Sequence, residues 1–256
     1  MTAEKLRPLS PYIFAIAFFL IWELGTWAFN VSVYVLPRPS QFFSTLFELW
    51  DGISFHAFQT MMTTLGGFVI GVSAGAVLGA AAGASRTIYT TVYPALVGFY
   101  SIPKVALVPI FVIWFGSGTV PALLTSTIIC IFPVLVNVAT GVATTERDME
   151  DVLRALGAKR LDILRHVALP RSLPYFFASL KVAITLSFVG TVISETVAAN
   201  RGIGTMMVRA SADFDVPLVF AGLILLAAMG IAMYAVFALV ERRMVGWAKR
   251  DIDFVH

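Results

Sequence analysis

The sequence predicts an all-α membrane protein in which six helices cross the bilayer. Of the 256 residues, 59% are hydrophobic and 13% are charged, against roughly 45–50% and 25% in ordinary soluble domains. The apolar residues fall in six long runs, and a helix is the structure that satisfies the backbone hydrogen bonds of a single segment in lipid. The Lys and Arg residues lie mostly between these runs, and they gather on one side of the membrane when the runs are taken as spans.

Each run approaches the length of about 20 residues that crosses a bilayer as a helix. The predicted spans are roughly 12–29, 60–83, 92–115, 119–142, 173–198 and 217–240. The first run resembles a signal peptide but continues past Glu23 without a small-residue cleavage site, so we interpret it as a span. Pro94, Pro103 and Pro109 predict kinks in the third span. Residues 116–118 alone separate it from the fourth, which predicts a tight turn and a re-entrant helical hairpin.

The distribution of positive charge predicts the orientation. With a cytoplasmic N-terminus, thirteen Lys and Arg residues lie inside and three lie outside. The inner set is Lys5, Arg7, Arg86, Arg147, Arg154, Lys159, Arg160, Arg165, Arg171, Arg242, Arg243, Lys249 and Arg250, and the outer set is Arg38, Arg201 and Arg209. By the positive-inside rule, both termini and the loop from about 143 to 172 are cytoplasmic.

The outer loop after the first span predicts a short helix. Pro39 can open this helix and Gly52 can close it. Aromatic and apolar side chains recur at helical spacing between them, and these are Phe42, Phe43, Leu46, Phe47 and Trp50. Two interpretations remain open, an amphipathic helix on the outer membrane interface and a helix whose stripe packs against the other helices.

The second span carries small residues along one face. Its last five glycines repeat at every fourth position, and these are Gly67, Gly71, Gly75, Gly79 and Gly83. Such a face permits close approach of another helix. The partner is either a helix of the same chain or one across a dimer or moving interface.

The cytoplasmic loop holds the most specific signal. It reads DVLRALGAKRLDILRHVALP from Asp151 to Pro170. The pattern predicts a short helix that ends at Gly157 in a left-handed conformation, and a second helix from about Arg160 to Ala168 that stops at Pro170. Two helices joined at a glycine form a stiff projection, which can transmit a rigid-body push.

The spacing of this loop resembles the cytoplasmic loop of bacterial ABC-importer permeases. Their consensus runs Glu-Ala-Ala, three residues, Gly, nine residues, Ile, one residue, Leu-Pro, and Gly157, Val167, Leu169 and Pro170 fall on it. Residues 151–153 depart from the Glu-Ala-Ala triplet. Further segments resemble permeases for nitrate, sulfonates and taurine, namely Ser101–Gly116, Trp22-Glu23, Leu36–Pro39, Leu180–Ala183, Glu195 and Gly202–Gly204. The match covers roughly residues 20–247.

The resemblance implies a type I ABC-importer permease fold in one transmembrane domain, residues 1–256, with a core at about 58–247. The chain would move a small polar solute by alternating access, such as a sulfonate, taurine, nitrate, another small anion or a vitamin precursor. Its partners would be two cytoplasmic ATP-binding subunits, a second permease copy and a periplasmic or surface solute-binding protein, in a bacterial cytoplasmic (inner) membrane. The ATPase-coupling residues would be Asp151, Arg154, Ala155, Gly157, Ala158 and Pro170.

Ionisable residues inside spans are functional candidates, because placing them in lipid is costly. Glu195, with Ser187 and Thr191 on earlier turns of the fifth span, predicts a wet face on a translocation pathway. The alternative is a carboxyl group hydrogen-bonded to neighbouring helices. Lys104 follows a proline in the third span and is a second pathway candidate, whereas Lys181 is interpreted as a membrane anchor that snorkels to the inner interface.

Several function classes lack their signatures. No GxxxxGK[ST] phosphate-binding loop is present, so ATP hydrolysis is expected in a separate subunit and no enzyme activity in this chain. His56, His166 and His256 show no metal-ligand spacing, and Cys130 has no second cysteine to pair with. No metal, cofactor or nucleic-acid partner is predicted. A stand-alone secondary transporter or channel would show coupling-ion sites and commonly an inverted repeat, and a membrane enzyme would retain activity as the purified chain.

Overall fold

The computed structural model describes residues 10–84, 101–143 and 155–245, together with residues 90, 91, 94, 98, 152 and 153. Within these residues the regular structure is helical, without a strand. The elements are α1 (Ser10–Ala28), α2 (Pro39–Glu48), α3 (Trp50–Gly83), a 3₁₀ helix (Lys104–Leu107), α4 (Val108–Phe115), α5 (Thr119–Ala143), α6 (Arg160–Ile163), a π-helical segment (Leu164–Ala168), α7 (Leu169–Ala198), α8 (Ile203–Ala212) and α9 (Val216–Met244).

Four of these helices, α3, α5, α7 and α9, are long and apolar enough to cross a membrane. Two shorter apolar segments, Ile13–Ala28 and Lys104–Phe115, correspond to the first predicted span and to the second half of the third. Of the first half of the third span, only residues 94, 98 and 101–103 are among the described residues. The all-α, membrane-spanning fold class is therefore confirmed.

The glycine face of α3 packs against α5. A Cβ atom added at Gly75 would lie 2.6 Å from the carbonyl oxygen of Ile131, and one at Gly79 would lie 2.6 Å from that of Leu135. Gly83 stands in the same relation to Ala139, at 2.7 Å. The absence of a side chain along this face is what permits backbone-to-backbone contact. The face is thus an internal packing surface of one chain, which decides between the two interpretations left open by the sequence.

Helix α7 lies in the angle formed by α3 and α5. Val134 and Val138 of α5, with Ala183 and Ile184 of α7, are buried in one hydrophobic cluster that Phe68 of α3 completes. The Ser187 hydroxyl bonds the Ser126 hydroxyl at 2.5 Å and donates to the carbonyl oxygen of Thr64 at 3.0 Å, where all three helices meet. Helices α3, α5 and α7 therefore form the core of the molecule.

The short helix α2 packs on the core side and exposes its other side. Phe42 is fully buried, with its ring centroid 5.4 Å from that of Trp22 in α1 and 6.1 Å from that of Phe220 in α9. Phe47 lies on the exposed side. Glu23 accepts hydrogen bonds from the Ser40 backbone N–H at 2.9 Å and hydroxyl at 2.8 Å, so it fixes the start of α2 to α1.

Gly52 does not close this helix as the sequence predicts. Helix α2 ends at Glu48, the Leu49 N–H donates to the Thr45 carbonyl oxygen at 3.0 Å, and α3 begins at Trp50. Gly52 therefore lies in the first turn of α3. The N–H groups of a first turn have no intrahelical partner, so a glycine there interrupts no hydrogen-bond ladder.

The helix predicted to stop at Pro170 continues instead. The chain passes from α6 through the π-helical segment directly into α7, in which Pro170 is the second residue. Proline is tolerated in a first turn, where its missing N–H would be unpaired. A π-helical turn uses i→i+5 hydrogen bonds and so changes the register just before the proline. The coupling loop is consequently joined to the fifth span without an intervening turn.

Lys181 forms an ion pair that joins two long helices. Its Nζ lies 2.5 Å from Glu241 Oε2, which joins α7 to the end of α9. Ionisable groups within membrane helices commonly pair with one another, since an unpaired charge there is costly. The sequence did not predict this ion pair, and the anchoring interpretation of Lys181 stays a prediction.

We expect Gly79→Ala and Gly52→Ala to change stability in opposite directions. At Gly79 the new methyl group meets the Leu135 carbonyl oxygen, and overpacking of this kind costs about 1–3 kcal/mol. At Gly52 nothing lies within 4 Å, and replacing glycine in a helix by alanine gains about 0.5–1 kcal/mol. Thermal unfolding of the purified protein in one detergent measures both effects. Equal midpoints for the two variants would contradict the packing described for α3 and α5.

Candidate functional site

The first candidate site is the coupling segment, which we define as residues 155–168. Gly157 has φ = 87°, and a Cβ atom added there would meet nothing within 4 Å, so glycine is needed for its backbone conformation and not for space. The Ala158 N–H donates to the Leu153 carbonyl oxygen at 3.0 Å. This is the six-to-one hydrogen bond of a Schellman helix ending. The left-handed helix end predicted at Gly157 is confirmed.

The second half of the coupling segment starts with its own cap. The Lys159 N–H donates to Asp162 Oδ2 at 3.2 Å, and the N–H groups of Asp162 and Ile163 donate back to the Lys159 carbonyl oxygen at 2.9 and 3.1 Å. A carboxylate also suits a helix N-terminus because of the helix dipole. These contacts hold the turn after Gly157 and give the projection a defined shape.

The coupling segment presents apolar side chains to its surroundings. Leu156 is 79% exposed and Leu161 is 71% exposed, and Val152 just before the segment is also exposed. Exposed large apolar side chains outside the membrane-spanning helices are candidate contacts for a partner. Sequence reasoning missed these residues, although leucines within a charged loop were the signal that marks them.

The structure places the predicted coupling residues as follows. Ala155, Gly157 and Pro170 are exposed and Ala158 is half-buried. Asp151 and Arg154 lie outside the described residues. The assignment of these positions to ATPase coupling stays a prediction.

The second candidate site surrounds Glu195, which is 2% exposed near the end of α7. Its Oε2 accepts hydrogen bonds from the Thr60 hydroxyl at 3.0 Å and from the Gly204 N–H at 3.0 Å. The Thr60 hydroxyl oxygen in turn accepts from the Ile203 N–H at 2.9 Å, and His56 Nδ1 accepts from the Gly202 N–H at 3.0 Å. We call these side chains, with the backbone they bind, the Glu195 cluster.

The Glu195 cluster caps α8 with side chains from two other helices. The first N–H groups of a helix lack intrahelical partners, and here Glu195 from α7 and Thr60 from α3 supply acceptors. A Cβ atom at Gly202, where φ = 117°, would collide with the Glu195 carboxyl group, and one at Gly204 would lie 2.7 Å from the Val192 carbonyl oxygen. The sequence Gly-Ile-Gly thus brings the start of α8 against a buried carboxyl group.

The other predicted pathway residues lie in different surroundings. Thr191 is fully buried and donates to the Ser187 carbonyl oxygen at 3.1 Å, and Ser187 bonds to α3 and α5. Lys104 is half-buried at the start of the 3₁₀ helix, which packs against α5 and α7. Within one chain, Glu195 and Ser187 therefore act as hydrogen-bonding groups between helices, and Thr191 bonds within α7. A pathway role for all four predicted residues stays a prediction. Among the described residues, no group of three His, Cys, Asp or Glu side chains is placed to hold a metal ion.

Comparison with known proteins defines the class. Residues 67–246 match the family model described as "binding-protein-dependent transport system inner membrane component". The chain belongs to this family, whose members are integral membrane subunits of transport systems. It is an ABC-importer permease subunit by this membership, as the loop spacing predicts.

Individual relatives extend over nearly the whole chain. It is 29% identical to the formylaminopyrimidine transport permease protein ThiX of Halalkalibacterium halodurans, over 96% of this chain and 98% of that protein. It is 29% identical to the riboflavin transport system permease protein RibX of Chloroflexus aurantiacus, over 89% and 86% of the two chains. It is 28% identical to the putative aliphatic sulfonates transport permease protein SsuC of Bacillus subtilis, over 89% and 83%.

The fold is similar to that of a solved transporter chain. A structure titled as an inward-facing conformation of the MetNI methionine ABC transporter matches with a TM-score of 0.57 and 19% identity. The match covers 78% of this chain and 97% of that chain. At this level of identity the likeness shows the fold alone, and it agrees with the predicted type I importer architecture.

We expect Glu195→Leu to destabilise the protein more than Glu195→Gln does. Leucine leaves the buried Gly204 N–H without its acceptor, which costs about 1–3 kcal/mol, whereas the glutamine side chain retains an amide oxygen that can accept. Thermal unfolding of the purified protein, with proteolysis of the 199–202 connection as a local probe, measures the difference. A leucine variant as stable as wild type, with an equally protected connection, would show that Glu195 does not hold α8 in place.

Proposed function

We propose that this chain is the transmembrane permease of an ATP-driven importer that moves a small polar solute into the cytoplasm by alternating access. It would act as a pair with a second permease copy. Two cytoplasmic ATP-binding subunits would contact the coupling segments, and a solute-binding protein would deliver the solute on the opposite side. Hydrolysis of ATP would take place in those subunits, and the permease would supply the gated path.

One observation carries this proposal, namely the continuity of the coupling segment with α7. From Arg160 the chain runs through α6 and the π-helical segment into α7 and on to Ala198. A push on the exposed Leu161 would therefore be applied to one end of a helix that lies in the core, and a push on Leu156 would reach it through the turn at Gly157. Motions of this kind proceed as hinge or shear displacements of packed helices.

The far end of α7 is joined to α8. Glu195 binds the Gly204 N–H at the start of α8, and the Ser187 hydroxyl bonds α3 and α5 midway along the helix. A displacement of α7 would then reach α8 on the other side of the membrane. The permease would in this way link ATP-driven closure on one side to access on the other.

The names of the relatives limit the range of solutes that we propose as the substrate. Formylaminopyrimidine, riboflavin and aliphatic sulfonates are all polar organic solutes. We propose a solute of this range, either a small anion such as a sulfonate or a vitamin or its precursor. Screening these compounds against the solute-binding protein encoded beside this chain, by thermal shift, followed by uptake of the best ligand, tests the assignment.

Topology is tested by thiol labelling in intact cells. With Cys130 replaced by Ser, single cysteines are placed at Ser54, Ser85, Thr144 and Ser211. The proposed orientation predicts that a membrane-impermeant reagent labels positions 54 and 211, and that positions 85 and 144 react after the membrane is opened. Labelling of position 144 from outside would reverse the orientation and remove the coupling segment from the ATP-binding side.

Gly157→Val tests the coupling segment itself. A non-glycine residue in the left-handed region costs about 1–2 kcal/mol, and a β-branched one resists it most, so the turn after Leu156 should open. We expect normal membrane insertion, loss of uptake and reduced co-purification of the ATP-binding subunit. Gly157→Asn is the matched control, because asparagine tolerates this conformation, and it should retain most of both activities. Normal uptake and subunit capture by the valine variant would rule out this loop as the docking element.

A further inference from the structure

An open cleft of about 400 Å³ lies between the ends of α3 and α5 and the beginning of α7. Its walls are apolar, with Ala76 and Ala80 from α3, Val138 from α5 and Phe176 from α7. Arg165 of the π-helical segment lines it as well. The cleft therefore combines an apolar wall with a cationic side chain from the coupling segment.

The ion pair between α7 and α9 shows where the cleft lies along the length of α9. Helices α7 and α9 are antiparallel, because Lys181 meets Glu241 while a Cβ atom at Gly230 would lie 3.4 Å from the Phe188 ring. Phe176 precedes Lys181 by five residues, a rise of about 7.5 Å toward the coupling segment. Helix α9 ends at Met244, three residues after Glu241, or about 4.5 Å further in the same direction. The cleft thus opens at the level where α9 ends.

That level is a membrane interface. The last turn of α9 carries Arg242 and Arg243, and basic residues of this kind flank spans on the cytoplasmic side. The apolar wall, with Ala76, Val138 and Phe176, lies toward the lipid interior. Arg165 belongs to the segment on the aqueous side of Leu169. The cleft is therefore apolar toward the membrane interior and cationic toward the aqueous side, as a membrane leaflet is apolar inside and polar at its headgroups.

We propose that the cleft binds one anionic phospholipid of the inner leaflet, with an acyl chain along Ala76, Val138 and Phe176 and the phosphate group beside Arg165. The proposal rests on the orientation given under the proposed function. A free anion would leave the apolar walls exposed to water, whereas an acyl chain covers them. A helix is about 10 Å across, so a peptide helix would place no more than about one turn in this volume. A phospholipid uses both the wall and the cation.

The site has a consequence for transport, because Arg165 lies between the projection at Gly157 and α7. A lipid bound to Arg165 and to the wall formed by α3 and α5 would join the coupling segment to the core of the molecule. The lipid would thereby resist displacement of α7 relative to α3. We expect transport by this permease to depend on the anionic lipid content of the membrane.

Lipid retention by the purified, assembled transporter tests the site. The complex is placed in nanodiscs of phosphatidylcholine containing a minor fraction of phosphatidylglycerol, released into the gas phase, and weighed by native mass spectrometry. We expect one phosphatidylglycerol per permease copy in wild type. One Arg contributes about 1 kcal/mol to anionic-lipid binding, so Arg165→Gln should lower retention about fivefold. Leu173→Gln, which replaces an apolar lining residue by a polar one of similar size, should also lower it.

Two controls match these changes. Arg171→Gln removes an exposed cation that does not line the cleft, and Val77→Phe adds an aromatic ring on the exposed side of α3, next to Ala76. Both should retain lipid as wild type does. Ala80→Phe fills the cleft and should abolish retention, and its thermal unfolding is measured alongside to separate lost binding from misfolding.

Several results would overturn the proposal. These are wild-type retention by both Arg165→Gln and Leu173→Gln, equal retention of phosphatidylcholine and phosphatidylglycerol, and full displacement of the lipid by inorganic phosphate. Greater retention by a chain lacking residues 246–256 would assign the cleft to that segment instead. The measurement needs neither solute nor ATP, so its failure leaves the importer proposal standing. Conversely, a complex that binds the lipid but takes up no solute would support the lipid site and contradict the importer proposal.

Discussion

The close approach of α3 to α5 is the constraint on which the other contacts depend. Lipid is as apolar as the side chains, so membrane helices gain little from the hydrophobic effect and associate through packing and hydrogen bonds. The glycines at 75, 79 and 83 bring the two backbones into direct contact. This contact forms the angle in which α7 lies, and it places Ser126 opposite Ser187. Helices α8 and α9 pack on α7 in turn.

Helix α7 connects the two candidate sites, because one lies at each of its ends. At its start it continues from the coupling segment, and near its end Glu195 binds the first turn of α8. Between them, Lys181 joins α9 and Ser187 joins the core pair. A helix held at so many points moves as a rigid body with its neighbours or meets resistance from each of them. This arrangement favours a displacement of packed helices over local bending, except at the π-helical segment.

Structural features set by residues close together in the sequence were predictable, and contacts between residues far apart in the sequence were not. The apolar runs predicted membrane-spanning helices, and Gly157 predicted the left-handed helix end, because each feature depends on residues close together in the sequence. Pro170 was misjudged because a π-helical segment, which has no sequence signature here, moves it into the first turn of a new helix. The ion pair of Lys181 was not predicted because its partner, Glu241, lies sixty residues away. Glu195 was found as a candidate, but its binding to Gly204 required the tertiary structure.

The environment of Glu195 bears on the prediction that this acidic residue lines a path for an anionic solute. An ionised carboxyl group on a narrow path would repel such a solute, and this objection weakens the pathway prediction for Glu195. In the structure, Oε2 accepts from Thr60 and from the start of α8, and Gly202 lies against the carboxyl group. The positive end of the α8 dipole faces the same group. Oε2 is therefore bound within the protein by groups of α3 and α8. Within one chain the carboxyl group therefore binds the start of α8, and a pathway role for it in an assembled transporter stays a prediction.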